Sequence, residues 1–177
     1  MRTKKLLPIL IVITALLLTT VPVSAGTTRT PVNAIEYVCL NTPGQEWMSG
    51  NVYHVRGQIN ENVVVVDGEI WGINTASIDV DFNLKTGQIV ARGFADFVPL
   101  GAEGGYTGTG AFRFNGSGAK PHNGQASLQG YGEFKGQSIH QELDGLPPDP
   151  AGDTFCAGHG QYWDTTLWRG YILSTDS

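Results

Sequence analysis

Acid–base chemistry needs a proton donor and a proton acceptor on one protected face, and "SIHQELDG" (Ser138–Gly145) is the stretch that could supply both. On a strand, Ser138, His140 and Glu142 share a face. If the strand keeps its register past Gly136, His140 and Glu142 turn inward as a catalytic pair. If Gly136 marks a bulge, Ile139 and Leu143 turn inward and the pair meets solvent. The two apolar residues favour the bulge. Asp79 and Asp81 alternate in "DVD" and could hold a cation, although alternating acids are the ordinary pattern of a solvated strand face. His54, His122, His140 and His159 lack zinc spacing. Asp144, Asp149 and Asp153 do not match a calcium loop, and a proline-stiffened loop explains them as well. No metal set and no cofactor is expected. A phosphate loop is excluded too: there is no GxxxxGK[ST], and "GTGAFR" breaks the GxGxxG spacing.

The start of the chain bears on location. Arg2, Lys4 and Lys5 precede an apolar run from Leu6 to Leu18, and Val23-Ser24-Ala25 offers a small-residue cleavage site. This three-part pattern predicts a signal peptide over 1–25 and a secreted, extracytoplasmic protein without a stable membrane anchor once the leader is removed. The whole chain has 11 Lys+Arg against 16 Asp+Glu; losing three basic residues leaves 8 against 16, a net −8. Such a charge disfavours nucleic acid and anionic membrane surfaces as partners. Cys39 and Cys156 are the only two cysteines, and in an exported chain an even pair predicts a disulfide.

The elements that position these residues read as strands. "GTTRTPVNA" has no periodicity, so 26–34 is expected to be a flexible arm ahead of one β domain over 35–177. "SIDVDFN" places Ile78, Val80 and Phe82 on one face and Asp79 and Asp81 on the other. "IVARGFADF" separates Ile89, Ala91, Gly93, Ala95 and Phe97 from Arg92 and Asp96, and "VYHVRGQI" separates Tyr53, Val55, Gly57 and Ile59 from His54 and Arg56. Asp67-Gly68 and "LKTGQ" are turn signals, and "TTLWRGYIL" closes the chain. About eight strands without a convincing helix predict an all-β antiparallel barrel, with a β-sandwich as the alternative. In "GGYTGTGAFRFNGSG" and "LQGYGEFKGQ", read as continuous strands joined by the hairpin loop "GAKPHNG", the apolar face carries Gly108, Gly110, Phe112, Phe114, Gly130, Gly132 and Phe134. Alternating small and large residues suits a narrow barrel interior.

Those paired glycine–aromatic strands resemble the ones in allene oxide cyclase and dirigent-type barrels, and in exported bacterial β proteins of similar style. The resemblance implies an eight-stranded barrel with an apolar cavity, and it carries no catalytic residue onto this chain. A wall of Gly108, Gly110, Gly130 and Gly132 has little side-chain volume, so either Phe82, Phe97 and Trp168 fill the space or a hollow remains. The expected function is non-catalytic binding of a small apolar molecule, lined by those residues together with Phe112. One alternative is a cyclase or isomerase using the same cavity with His140 and Glu142. The other is surface recognition of a glycan or partner through Tyr162, Trp163, Trp168 and Tyr171, which equally suit a closing strand whose Trp168 plugs the barrel.

Overall fold

The computed structural model describes residues 26–115 and 123–175. The leader expected at 1–25 lies outside the described residues, as does Gly118–His122 of the expected hairpin loop. Nine strands follow in order: β1 (Thr27–Thr42), β2 (Gln45–Ser49), β3 (Val52–Val66), β4 (Glu69–Asn83), β5 (Gln88–Pro99), β6 (Gly104–Asn115), β7 (Asn123–Gly132), β8 (Gln137–Leu146) and β9 (Gln161–Thr175). A single-turn helix, α1 (Gly152–Phe155), precedes β9. Strands β3 to β9 pair in chain order, and β1 pairs antiparallel with both β9 and β3. The sheet therefore closes into an eight-stranded antiparallel barrel, which settles the sandwich alternative, and β2 is an extra strand along β3.

Where burial falls on one face, alternation was a sound guide. The β4 and β5 faces are as the sequence predicts, and Asp67-Gly68 forms the β3–β4 turn with both residues at positive φ (51° and 85°). Three expectations are corrected. Residues 26–34 are not a loose arm: Thr27 pairs with Thr175 and the ladder runs on to Val38 and Asp164. Thr27–Pro31 are solvent-exposed, so they show no apolar period, yet the ladder with β9 pairs the backbone groups on the side that faces it. "GYGEFKGQ" does not continue as a strand. Gly132 (φ 63°) ends β7, and Glu133–Gly136 turn the chain into β8. Gly132 is thus exposed rather than interior.

The third correction lies in β3. Val55 opposes Val80 while Gln58 opposes Ile78, so Arg56 and Gly57 together face Asp79 alone. This bulge, with Gly57 at φ 66°, resets the alternation. Gln58, Asn60 and Asn62 turn inward and Ile59 turns out. Neighbouring side chains fasten it: Arg56 donates to the Val55 and Val80 carbonyls (2.8 and 2.9 Å) and to Asp81 (2.6 Å), and Asp79 accepts from the Gly57 N–H (2.9 Å). The two acids of "DVD" therefore serve the bulge.

Inside, one half of the barrel is solid. Phe97, Tyr106, Leu128, Ile139, Val64 and Trp168 are all buried there, with Phe97 edge-on to Trp168 at 5.5 Å and against Trp71 at 4.6 Å. A second cluster lies outside the barrel wall. Tyr37, Cys39, Val63 and Val65 point outward from β1 and β3 and are covered by the α1 segment. Phe155 stacks on Tyr37 at 4.5 Å, Tyr37 donates to Asp149 at 2.9 Å, and the Cys39–Cys156 disulfide closes the cover.

Two predictions follow from this packing. A Cβ on Gly108 would collide with the Ser127 carbonyl oxygen of the paired strand, whereas for one on Gly110 the nearest atom is the Ala126 Cβ at 3.2 Å. Gly108→Ala should cost about 1–3 kcal/mol, with a clearly smaller loss for Gly110→Ala, read from urea midpoints. Equal losses would refute the difference. Replacing both cysteines by serine should cost about 2–5 kcal/mol and loosen the α1 cover before the barrel, seen as faster amide exchange at 150–160 than in β5 and β6.

Candidate functional site

The half of the barrel opposite the aromatic core is hollow. A cavity of about 190 Å³ opens among the C-terminal ends of β4 and β6 and the N-terminal ends of β5 and β9. Its side wall is apolar: Ala76, Ile78 and Val80 from β4, Ile89 and Ala91 from β5, and Phe112 from β6. Trp163, 64% exposed, stands at the rim. The floor is polar, and sequence reasoning missed it. Glu36 comes from β1, Asn62 from β3, Asn74 from β4 and Gln141 from β8, and all four are buried.

Glu36 is the centre of this floor. Its Oε1 accepts hydrogen bonds from Asn62 Nδ2 (2.8 Å) and Asn74 Nδ2 (2.7 Å), and its Oε2 accepts one from the Trp168 indole N–H (3.0 Å). Burial pushes the carboxyl pKa up; the hydrogen bonds from Asn74, Trp168 and Asn62 oppose that push, and the charge of Asp164 adds to it. Asn62 also uses its oxygen, accepting from the Cys39 N–H at 3.3 Å. By contrast Asn74 Oδ1 and Gln141 Oε1 are buried and have no hydrogen-bond partner among the described residues. A buried acceptor left this way costs about 1–3 kcal/mol.

The residues expected to line a cavity separate into groups. Gly110 and Phe112 do line it. Phe97 belongs to the solid half, where Trp168 also sits, touching the site through its indole N–H. Gly108 and Gly130 lie against neighbouring backbone in the sheet, Gly132 is in the exposed turn, and Phe82 lies one inward position beyond Val80, outside the cavity lining. His140 and Glu142 occupy the outer face, since Ile139, Gln141 and Leu143 are the buried residues of β8. The His140 ring lies between Ser127 and Ser138 hydroxyls (3.3 and 3.1 Å) and stacks on Tyr171. Asp144 pairs with Arg169 at 2.7 Å, while Asp149 accepts from the Ala151 N–H and the Tyr37 hydroxyl (both 2.9 Å), so these two acids of "DGLPPDPAGD" do not converge. Among the described residues, no group of three His, Cys, Asp or Glu side chains could hold a metal ion.

The missed floor had two signals. In "AIEYVCL", Ala34, Glu36 and Val38 alternate with Ile35, Tyr37 and Cys39, so a strand buried on both faces must bury its acid. In "GQINENVVVV", restarting the alternation at Gly57 puts Gln58, Asn60 and Asn62 on the Val64 face. Comparison with protein-family models, curated proteins and solved structures finds no match to the chain.

The raised pKa of Glu36 sets a pH dependence. A carboxyl whose folded pKa lies above its unfolded value of 4.5 contributes stability that is fully present below 4.5 and lost as pH rises through the folded pKa. Asp81 acts in the opposite sense, because Arg56 and His54 hold its pKa low, but it is common to wild type and Glu36→Gln. The wild-type minus Glu36→Gln difference in urea midpoint should therefore fall as pH rises above 4.5. A flat difference curve would show that Glu36 titrates in the barrel as it does in the unfolded chain.

Proposed function

We propose that this barrel binds one small, largely apolar molecule in the cavity and performs no chemistry on it. The observation that carries the reading is the contrast between the two halves of one interior. Aromatic rings fill one half, while the other keeps about 190 Å³ beneath an apolar wall. Native interiors leave few such voids. An engineered apolar cavity of about 150 Å³ suffices to hold benzene, so the occupant here is of one-ring size. The cyclase reading loses its acid–base pair, because His140 and Glu142 lie on the outer face. Surface recognition through the C-terminal aromatics loses most of its platform: Trp168 is buried and Trp163 borders the cavity. The buried disulfide fits an oxidising, extracytoplasmic environment, and with the expected leader it supports secretion, where small apolar compounds from outside the cell are accessible.

Calorimetric titration with toluene tests the reading. Saturable binding with about one site per chain is expected. Ala91→Phe, which fills the cavity from the β5 wall, should abolish binding while thermal unfolding stays cooperative. Absence of saturable binding to the wild-type protein would sink the proposal.

A further inference from the structure

The floor of the cavity has a chemical sense that its apolar wall lacks. We infer that the molecule bound there carries a protonated amine, inserted amine-first against Glu36, Asn74 and Gln141. This rests on the proposed binding function and narrows it to small apolar amines. Three observations carry it. First, the two buried side-chain atoms left without a partner among the described residues are both acceptors on this floor, Asn74 Oδ1 and Gln141 Oε1. The amide N–H groups of Asn62 and Asn74 and the Trp168 indole are already committed to the carboxyl. Second, the lining contains the Glu36 carboxyl and no Lys, Arg or His among the described residues. Third, all three groups shown bonded to Glu36 are donors, the arrangement that suits an ionised carboxylate, yet among the described residues no Lys, Arg or His lines the cavity beside it.

An ammonium group matches each of these. It has three donors and no acceptor, enough for both orphan oxygens and the carboxylate, and it brings the missing positive charge. A hydroxyl offers one donor and adds an acceptor. A carboxylate head would face the Glu36 carboxyl and the lone pairs of the two amide oxygens. Burial of Glu36 without a cation is what raises its pKa, so an entering ammonium also relieves that cost.

Four compounds of nearly one shape separate the possibilities: cyclohexylmethylamine, cyclohexylmethanol, cyclohexanecarboxylate and methylcyclohexane, titrated into the protein at neutral pH. The amine is expected to bind about tenfold or more tighter than the alcohol and the hydrocarbon, and the carboxylate not at all. Glu36→Gln and Gln141→Leu should each lower the affinity of the amine relative to that of methylcyclohexane measured on the same variant. Gln141 makes no hydrogen bond to the carboxyl, so its variant serves if Glu36→Gln fails to fold. Binding of the hydrocarbon with no preference for the amine overturns this inference and leaves the cavity-binding function standing. Equal affinity for alcohol and amine, or a full amine preference in the variants, overturns it too. Failure of all four compounds overturns both.

Discussion

The carboxyl of Glu36 joins the strands at which the barrel closes. It sits on β1, the strand that meets both β9 and β3, and its three hydrogen bonds reach β3, β4 and β9. A buried carboxylate is expensive unless donors surround it, and removing any one donor leaves the others tied to an under-solvated charge. That asymmetry makes closure specific. A register slip of one residue on β1 would move Glu36 to the outer face and bring Tyr37 or Ile35 inside. The same slip would carry Cys39 away from Cys156, so the disulfide and the carboxyl fix one register from opposite faces of a single strand. Trp168 couples the two halves of the interior: its ring packs against Phe97 in the solid half, and its N–H holds the cavity floor.

The glycines also divide by role. Gly108 lets β6 lie close on the β7 backbone, where any Cβ would strike a carbonyl oxygen. Gly57 does something different. It permits the bulge that delivers three consecutive inward amide side chains, Gln58, Asn60 and Asn62, to a strand whose continued alternation would have put Ile59 inside. One backbone irregularity therefore supplies the β3 share of the cavity's polarity, beside Glu36, Asn74 and Gln141 from other strands.

This explains which parts of the molecule were legible in its sequence. Strands β4 and β5 have one buried face, so hydrophobic alternation reports their orientation directly, and the Asp67-Gly68 turn needs only local backbone preference. The cysteine pair was legible from parity and the expected compartment. The turn at Glu133–Gly136 was not, because "GYGEFKGQ" alternates as well through a turn as through a strand until the positive φ of Gly132 is known. The β3 bulge was hidden likewise: "VYHVRGQI" keeps a plausible period across Gly57, and the Arg56 and Asp79 contacts that settle it are made across strands. Glu36 was overlooked for a third reason. Acids rank among the least buried residues, so an acid in a strand is ordinarily assigned to solvent, and only the α1 cover on the outer face leaves it nowhere to go but inside.

A barrel selected for stability alone has a simpler solution at this floor. Replacing a buried polar cluster by well-packed apolar side chains is often neutral or stabilising, and the aromatic half of the same interior shows that this chain can build such packing. The floor instead retains a raised-pKa carboxyl and two buried acceptors without partners among the described residues, each an energetic cost. Register specificity accounts for Glu36 and the amides bound to it. It does not account for Gln141, which makes no hydrogen bond to the carboxyl and whose neighbours on the inner face of β8 are Ile139 and Leu143. An apolar side chain at Gln141 would continue that row without disturbing the ladder. Its unpartnered oxygen is therefore the feature of the cavity that closure of the barrel leaves unexplained, and donation from a bound molecule is the interaction that would repay it.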